Sequence, residues 1–278
     1  MGELTRCGLF RLKKDRVFWA CFGVMLCAAV AQLSIAARQC RMMAAEGYIV
    51  NLESSFFRLL PAIGLFVGIF TGLYLGTDHS EGALRNRLMV GHSREKVYLA
   101  ELGTAVTAAL AMTAAWLMGC GAVALFCREY WHMDPGPLAL YILAACGSAV
   151  ALASLLTTVG MLTEKKSTAA VAAILLVLGL LLLSTWLYSR LLEPEMESGL
   201  IITTAGMEWG DPTPNPLYVS GTLRQVFQLL LNILPTGQAV LLSELAAAHP
   251  VWDLAASAAV TVVSTLVGIA LFRKKDLK

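Results

Sequence analysis

The chain has 278 residues, 58% of them hydrophobic and 14% charged, with a mean hydropathy of +0.69. A soluble domain carries about 25% charged residues, so this composition excludes a water-soluble fold and indicates an all-α membrane protein that crosses the bilayer several times. Basic and acidic side chains, 21 against 19, nearly cancel, and no charge excess argues for nucleic acid as a partner.

A bilayer core of ~30 Å needs about 20 mostly apolar residues per helix. Residues 1–16 form a basic segment with Arg11, Lys13, Lys14 and Arg16, and the first apolar run follows at 17–37. That run exceeds the ~7–15 residues of a cleavable signal core, so it is expected to remain as a span. Further runs cover 57–76, 98–126, 138–162, 168–189 and 251–272. The segment VAAILLVLGLLLL at 171–183 is the most decisive, with ten Leu, Ile or Val residues, worth roughly −3 to −6 kcal/mol for insertion. The third run is long for a span, which places Glu101 near the headgroups, where a carboxylate costs less.

Orientation follows from Lys and Arg counts. The N-terminus, the 77–97 loop, the 163–167 loop and the C-terminus carry 15 of them, against 6 on the opposite side. Both termini are therefore expected in the cytoplasm. The long loop after the fifth span is acidic instead, with Glu193, Glu195, Glu197, Glu208 and Asp211, and its Pro-rich patch 211–216 reads as an external turn region.

Within that loop, 223–248 is apolar but broken by Pro235 and Gly237. Each half, about 12 residues or ~18 Å long, is too short to cross. A crossing would also put Arg273, Lys274 and Lys275 outside. The expectation is a re-entrant pair of half-helices, in which Pro235 removes a donor and Gly237 supplies φ > 0. Asn232 and Gln238 flank the turn and can satisfy its freed backbone groups, and the residues around Leu234 would seal one end of the bundle as an external gate.

Chemistry of an enzymatic kind is not indicated. No Walker A, HExxH, GxSxG or CxxC pattern occurs. The four histidines lie in loops or at helix ends without ligand spacing. Four of the seven cysteines fall inside apolar runs, where Cys acts as a small hydrophobe. No catalytic residue, metal site or cofactor is assigned to this chain.

The richest stretch is TDHSEGALRNRLMVGHSREKVYLAELG at 77–103. Asp78 and Glu81 resemble a capping box that starts a helix of about three turns. Gly91 suits a left-handed stop. Ser93 can cap the next helix, with Glu95 in its first turn. Leu84 and Leu88 share one face at i and i+4, while Arg85 and Arg87 point elsewhere. These features fit a helical docking knob and fit equally a plain basic loop with an interfacial helix.

The residues here also carry a resemblance. GALRNRLMVGHSR is similar to the cytoplasmic signature of permeases of the type-2 ABC exporter class, in which Glu81, Gly82, Arg85, Asn86, Leu88, Gly91, Ser93 and Arg94 match the pattern and Ala83 stands where Thr is usual. A second block, 214–245, resembles the external segment before the last span of bacterial members, and 9–19 and 271–278 resemble the family's ends. In the family the N-terminal segment is an interfacial helix touching the ATPase. In this chain 4–18 does not separate apolar from basic residues cleanly on a helical wheel.

The resemblance implies a bacterial cell-membrane protein, the permease subunit of an ATP-driven exporter. It would pair with a second, identical or related permease, and two separate ATP-binding subunits holding ATP–Mg²⁺ would dock on the 77–97 loop. The nearly uncharged spans favour an amphipathic substrate such as a peptide, lipid or hydrophobic drug. A secondary transporter and a membrane partner protein without transport activity are the alternatives from other classes.

Overall fold

The computed structural model describes residues 2–198, 200–203, 206–209 and 211–275; side chains are described throughout except over 200–210. It is 82% helical, and six helices are long and apolar enough to cross a membrane. The chain is a multi-pass, all-α membrane protein. Terminal residues 276–278, part of the stretch that resembles the family's C-terminal end, lie outside the described residues, and so does the side chain of Glu208.

Helix α1 (Gly2–Lys14) precedes α2 (Arg16–Ala45), and Asp15 separates them by capping α2 through the amide of Phe18 at 2.9 Å. The buried side of α1 is a narrow stripe, Leu4, Gly8 and Leu12, at a spacing of four. A wheel blurs such a stripe because the basic residues crowd its edges, yet it suffices to lay α1 along the bundle. A short α3 (Glu53–Phe57) leads into α4 (Leu60–Ser80), and the loop helix α5 (Ala83–Met89) precedes α6 (Arg94–Phe126). Then come α7 (Pro135–Leu162) and α8 (Lys166–Leu192). Two small antiparallel ladders follow, β1 (Met196–Glu197) with β4 (Thr213–Pro214) and β2 (Leu200–Thr203) with β3 (Gly206–Trp209), so the Pro-rich patch enters a ladder as well as a turn. Helices α9 (Gly221–Ile233), α10 (Pro235–Ser243) and α11 (Pro250–Lys274) complete the chain.

Helices α2, α6, α7, α8 and α11 contain the expected runs and extend past them by up to eight residues, because polar ends such as Arg94–Lys96 continue the helix beyond the apolar stretch. The run 57–76 instead starts at the end of α3 and is interrupted at Arg58 and Leu59 before α4. Helix α4 is central, packing on α6, α7, α8 and α10. Its contact with α8 is set by four glycines at a spacing of four, Gly64, Gly68, Gly72 and Gly76. A Cβ on Gly72 would meet Ala170 Cα at 2.8 Å, and one on Gly76 would meet Lys166 Cα at 2.8 Å. Small residues at this spacing let membrane helices approach closely, where packing rather than hydrophobicity drives association.

The α7–α11 contact is joined by hydroxyls instead. Ser154 and Ser264 lie 2.6 Å apart, and Thr158 donates to the Ser264 carbonyl at 3.1 Å while meeting Tyr98 at 2.9 Å. Large apolar side chains remain exposed along α2 (Trp19, Val24, Ile35), α8 (Leu175, Leu182) and α11 (Val263, Leu266). Those faces suit hydrocarbon or another membrane helix.

Helix α1 and the last turn of α11 lie at the same end of the bundle. Arg94 donates to the carbonyls of Phe272 and Arg273, Lys275 Nζ donates to those of Met161 and Thr163, and Arg11 of α1 pairs with Asp78 in the last turn of α4. Elements at the opposite end include α3, α9 and α10. There Leu52 N–H bonds to Tyr130 O at 3.0 Å, and the Glu53 carboxylate accepts from the amides of His132 and Met133.

Candidate functional site

At the end that holds α1 and the last turn of α11, the loop between α4 and α6 folds as a short bracket. Gly82 adopts φ +69 and Gly91 φ +98, so each end of α5 is turned by a residue for which the left-handed region costs little. Ser93 caps α6 through the amide of Lys96, and Glu95 in its first turn pairs with Arg273. The Gly91 stop and the Ser93 cap are as the sequence reading has them.

Three details differ. Asp78 does not start a helix with Glu81. It sits fully buried in the last turn of α4, and α5 is the seven residues Ala83–Met89 rather than three turns. Leu84 is 1% exposed and Leu88 packs against the same core, so this pair anchors α5 to the bundle instead of presenting a knob. The exposed side of α5 carries Arg85, Asn86 and Met89, followed by Val90 at its cap, the last two 66% and 80% exposed. An i, i+4 leucine pair identifies an apolar face without saying which body covers it.

Arg87 is the third difference. It turns inward, pairs with Glu101 of α6 and reaches Asp78 of α4 at 3.5 Å. Asp78 also pairs with Arg11 of α1, whose guanidinium lies 3.8 Å from the Tyr74 ring centroid and donates to the Tyr74 carbonyl at 3.2 Å. Burial works against the charge on Arg87, but Glu101 and Asp78 outweigh it and hold its pKa above the ordinary arginine value. Glu101 is 1% exposed and enclosed by protein, so an arginine, not headgroup water, offsets its charge. Four charges thus connect α1, α4, α5 and α6. Arg94 ties the same region to the last helix.

At the opposite end, α9 and α10 meet at 97°. The break is a single extended residue, Leu234 (φ −70, ψ 124), followed by Pro235 at the first position of α10, where a missing N–H is harmless. Gly237 is helical, not left-handed. It is needed for close approach, since a Cβ there would meet the Leu231 backbone, 2.8 Å from its Cα. Gln238 does bridge the turn. Its Nε2 donates to Asn232 O at 2.6 Å and Asp253 O at 3.0 Å, while Ser257 Oγ donates to its Oε1 at 2.6 Å. Asn232 contributes only that carbonyl, and its side chain is exposed. All nine residues of α10 are buried, whereas Leu229, Leu230 and Ile233 of α9 are exposed. The apolar residues expected to form one seal therefore divide between a buried helix, α10, and an exposed amphipathic one, α9.

Replacing Gln238 with Leu forfeits three hydrogen bonds at net values of about 1 kcal/mol each. A loss of roughly 3 kcal/mol in unfolding free energy is expected, measured by denaturant titration in detergent; Ser257→Ala, which removes one of the three, is expected to cost about a third as much.

No family model matches the chain, and no curated protein matches it.

Proposed function

We propose that this protein is the membrane-spanning permease subunit of an ATP-driven exporter of the type-2 ABC class, acting with two separate ATP-binding subunits and a second permease. The reading rests on the sequence resemblance of 81–94 and 214–245 and on one structural observation. The loop helix α5 exposes Met89 and Val90 while Arg87 and Leu84 fasten it to α4 and α6. A partner pressing on such a bracket moves spanning helices with it, provided its affinity differs between two conformations of the bundle.

In this reading the end with both termini is cytoplasmic, in keeping with the 15 to 6 basic asymmetry. Helices α9 and α10 form a re-entrant pair at the outer end, with α10 as the gate and Leu234, Pro235 and Gly237 as its hinge. The exposed apolar faces of α2, α8 and α11 serve lipid and the second permease. The chain itself performs mechanical work transfer rather than catalysis.

The test is affinity purification of the tagged chain from its native membrane, followed by ATPase assay. Vanadate-sensitive ATP hydrolysis should copurify, and Met89→Asp with Val90→Asp should reduce it at least tenfold without changing membrane insertion. A chain that purifies without any ATPase activity would sink the proposal. Undiminished hydrolysis with the double variant would move the docking surface off α5.

A second reading, an ion-coupled secondary transporter, is favoured by one observation: Asp78 and Glu101 each keep one buried carboxylate oxygen without a hydrogen-bond partner. Enclosed carboxylates of that kind can carry coupling protons. Reconstituted uptake that follows a proton gradient and ignores ATP would select it.

A further inference from the structure

Between the end of α8, the bent pair α9–α10 and the start of α11 lies a cavity of about 500 Å³, within the size range of drug-sized ligand sites. Tyr188 and Trp252 contribute aromatic surface, Leu231 lines the interior, and Gln228 and His249 are exposed at the rim. Asp253 lines it as well. The residue is 3% exposed, and its Oδ2 has no hydrogen-bond partner. No Lys or Arg lines the cavity, and among the described residues none forms an ion pair with Asp253.

An enclosed, unpaired carboxylate is costly unless something offsets its charge. The position of Asp253 in the first turn of α11 supplies part of the offset, because the positive end of the helix dipole favours an acidic group there. The dipole explains why an acid is tolerated in that turn. It does not explain why the acid is enclosed beside an open cavity rather than turned to solvent. The other ionisable residues at the cavity are Tyr188 and His249; neither forms an ion pair with the carboxylate, although His249 is near enough to act on it electrostatically. Aromatic faces beside a carboxylate, with an apolar interior, are the elements that recognise an organic cation.

We infer that this cavity binds the charged head of an organic monocation with an apolar body, the cation pairing with Asp253 and lying against Trp252 and Tyr188. The site needs only this chain. Its role as a substrate site at the outer gate rests on the exporter reading.

The probe is rhodamine 6G, a fluorescent cation, titrated by anisotropy against the purified full-length chain in detergent. Saturable binding is expected, with displacement by tetraphenylphosphonium and not by tetraphenylborate, which has the same shape and the opposite charge. Asp253→Asn should weaken binding at least tenfold, and Asp253→Glu should retain most of it. Gln228→Lys, at an exposed rim position, should weaken it at least threefold by repulsion. Equal displacement by both tetraphenyl ions, unchanged affinity in Asp253→Asn and Gln228→Lys, or no saturable binding would each overturn the inference. Tetraphenylphosphonium should also stimulate ATP hydrolysis by the copurified complex at least twofold. Binding without such stimulation would leave the site standing and remove its assignment to transport.

Discussion

Replacing Arg87 with Met is expected to destabilise the purified chain by about 3–5 kcal/mol, the usual cost of removing one partner from a buried ion pair. The cause lies in what remains. Glu101 would stay enclosed at 1% exposure without an ion-pair partner, Arg11 acting on it only at longer range, and Asp78 would keep only Arg11. Arg87 is itself only 16% exposed at the side chain, so solvent screening does little to soften the loss. Replacing both partners, Arg87→Met with Glu101→Leu, should recover most of the deficit, because an apolar pair of similar volume often matches a buried salt bridge. Denaturant unfolding in one detergent would compare the three proteins. If the double variant is as unstable as Arg87→Met, charge pairing is not what holds α5 to α6. In the proposed exporter the double variant has a second use: it should assemble and hydrolyse ATP yet transport poorly, since the rigid connection from α5 to α6 is gone.

This cluster also marks where sequence reading stops. The six long helices are legible because hydrophobic runs of about 20 residues have few other fates. The turns at Gly91 and Ser93 are legible because backbone chemistry at a helix end is local. Arg87 and Glu101 are 14 residues apart on different helices, and nothing local says that α5 folds back over the start of α6. Asp78 misleads for a related reason: an acidic residue three before Glu81 fits a cap, but the apolar run before it simply continues as helix to Ser80. The enclosed Asp253 is likewise invisible in the chain, since an acid in a first turn is the ordinary pattern. The bend at Pro235 is legible in its place but not in its mechanism, which depends on how near Leu231 comes to Gly237.

The glycine ladder of α4 is a different case, present in the sequence as four glycines at a spacing of four, which hydropathy alone does not register. Its effect should be large. Gly72→Ala with Gly76→Ala would place two methyl groups against the α8 backbone, each with a contact at 2.8 Å. Those partners are main-chain atoms and cannot rotate away, so α8 must move. Two forces then compete. Alanine raises helix propensity by up to about 1 kcal/mol per site, while overpacking costs about 1–3 kcal/mol per site. With backbone as the obstacle the second should win, leaving a net loss of up to about 4 kcal/mol for the two sites together. Gly179→Ala in α8 is the control, because a Cβ there meets nothing within 4 Å, and it should be neutral or stabilising. Chemical denaturation of both variants in the same detergent decides the matter; similar shifts for both would mean that the ladder does not set the α4–α8 distance. The displacement should also reach the bent pair, since Ser184 of α8 lies 2.8 Å from the Thr236 hydroxyl, which donates to Leu180 O at 3.1 Å. A cysteine at position 239 of α10, in a background lacking the native cysteines, should therefore label faster in the double variant than in its parent. Equal labelling would show that α10 keeps its seat when α8 moves.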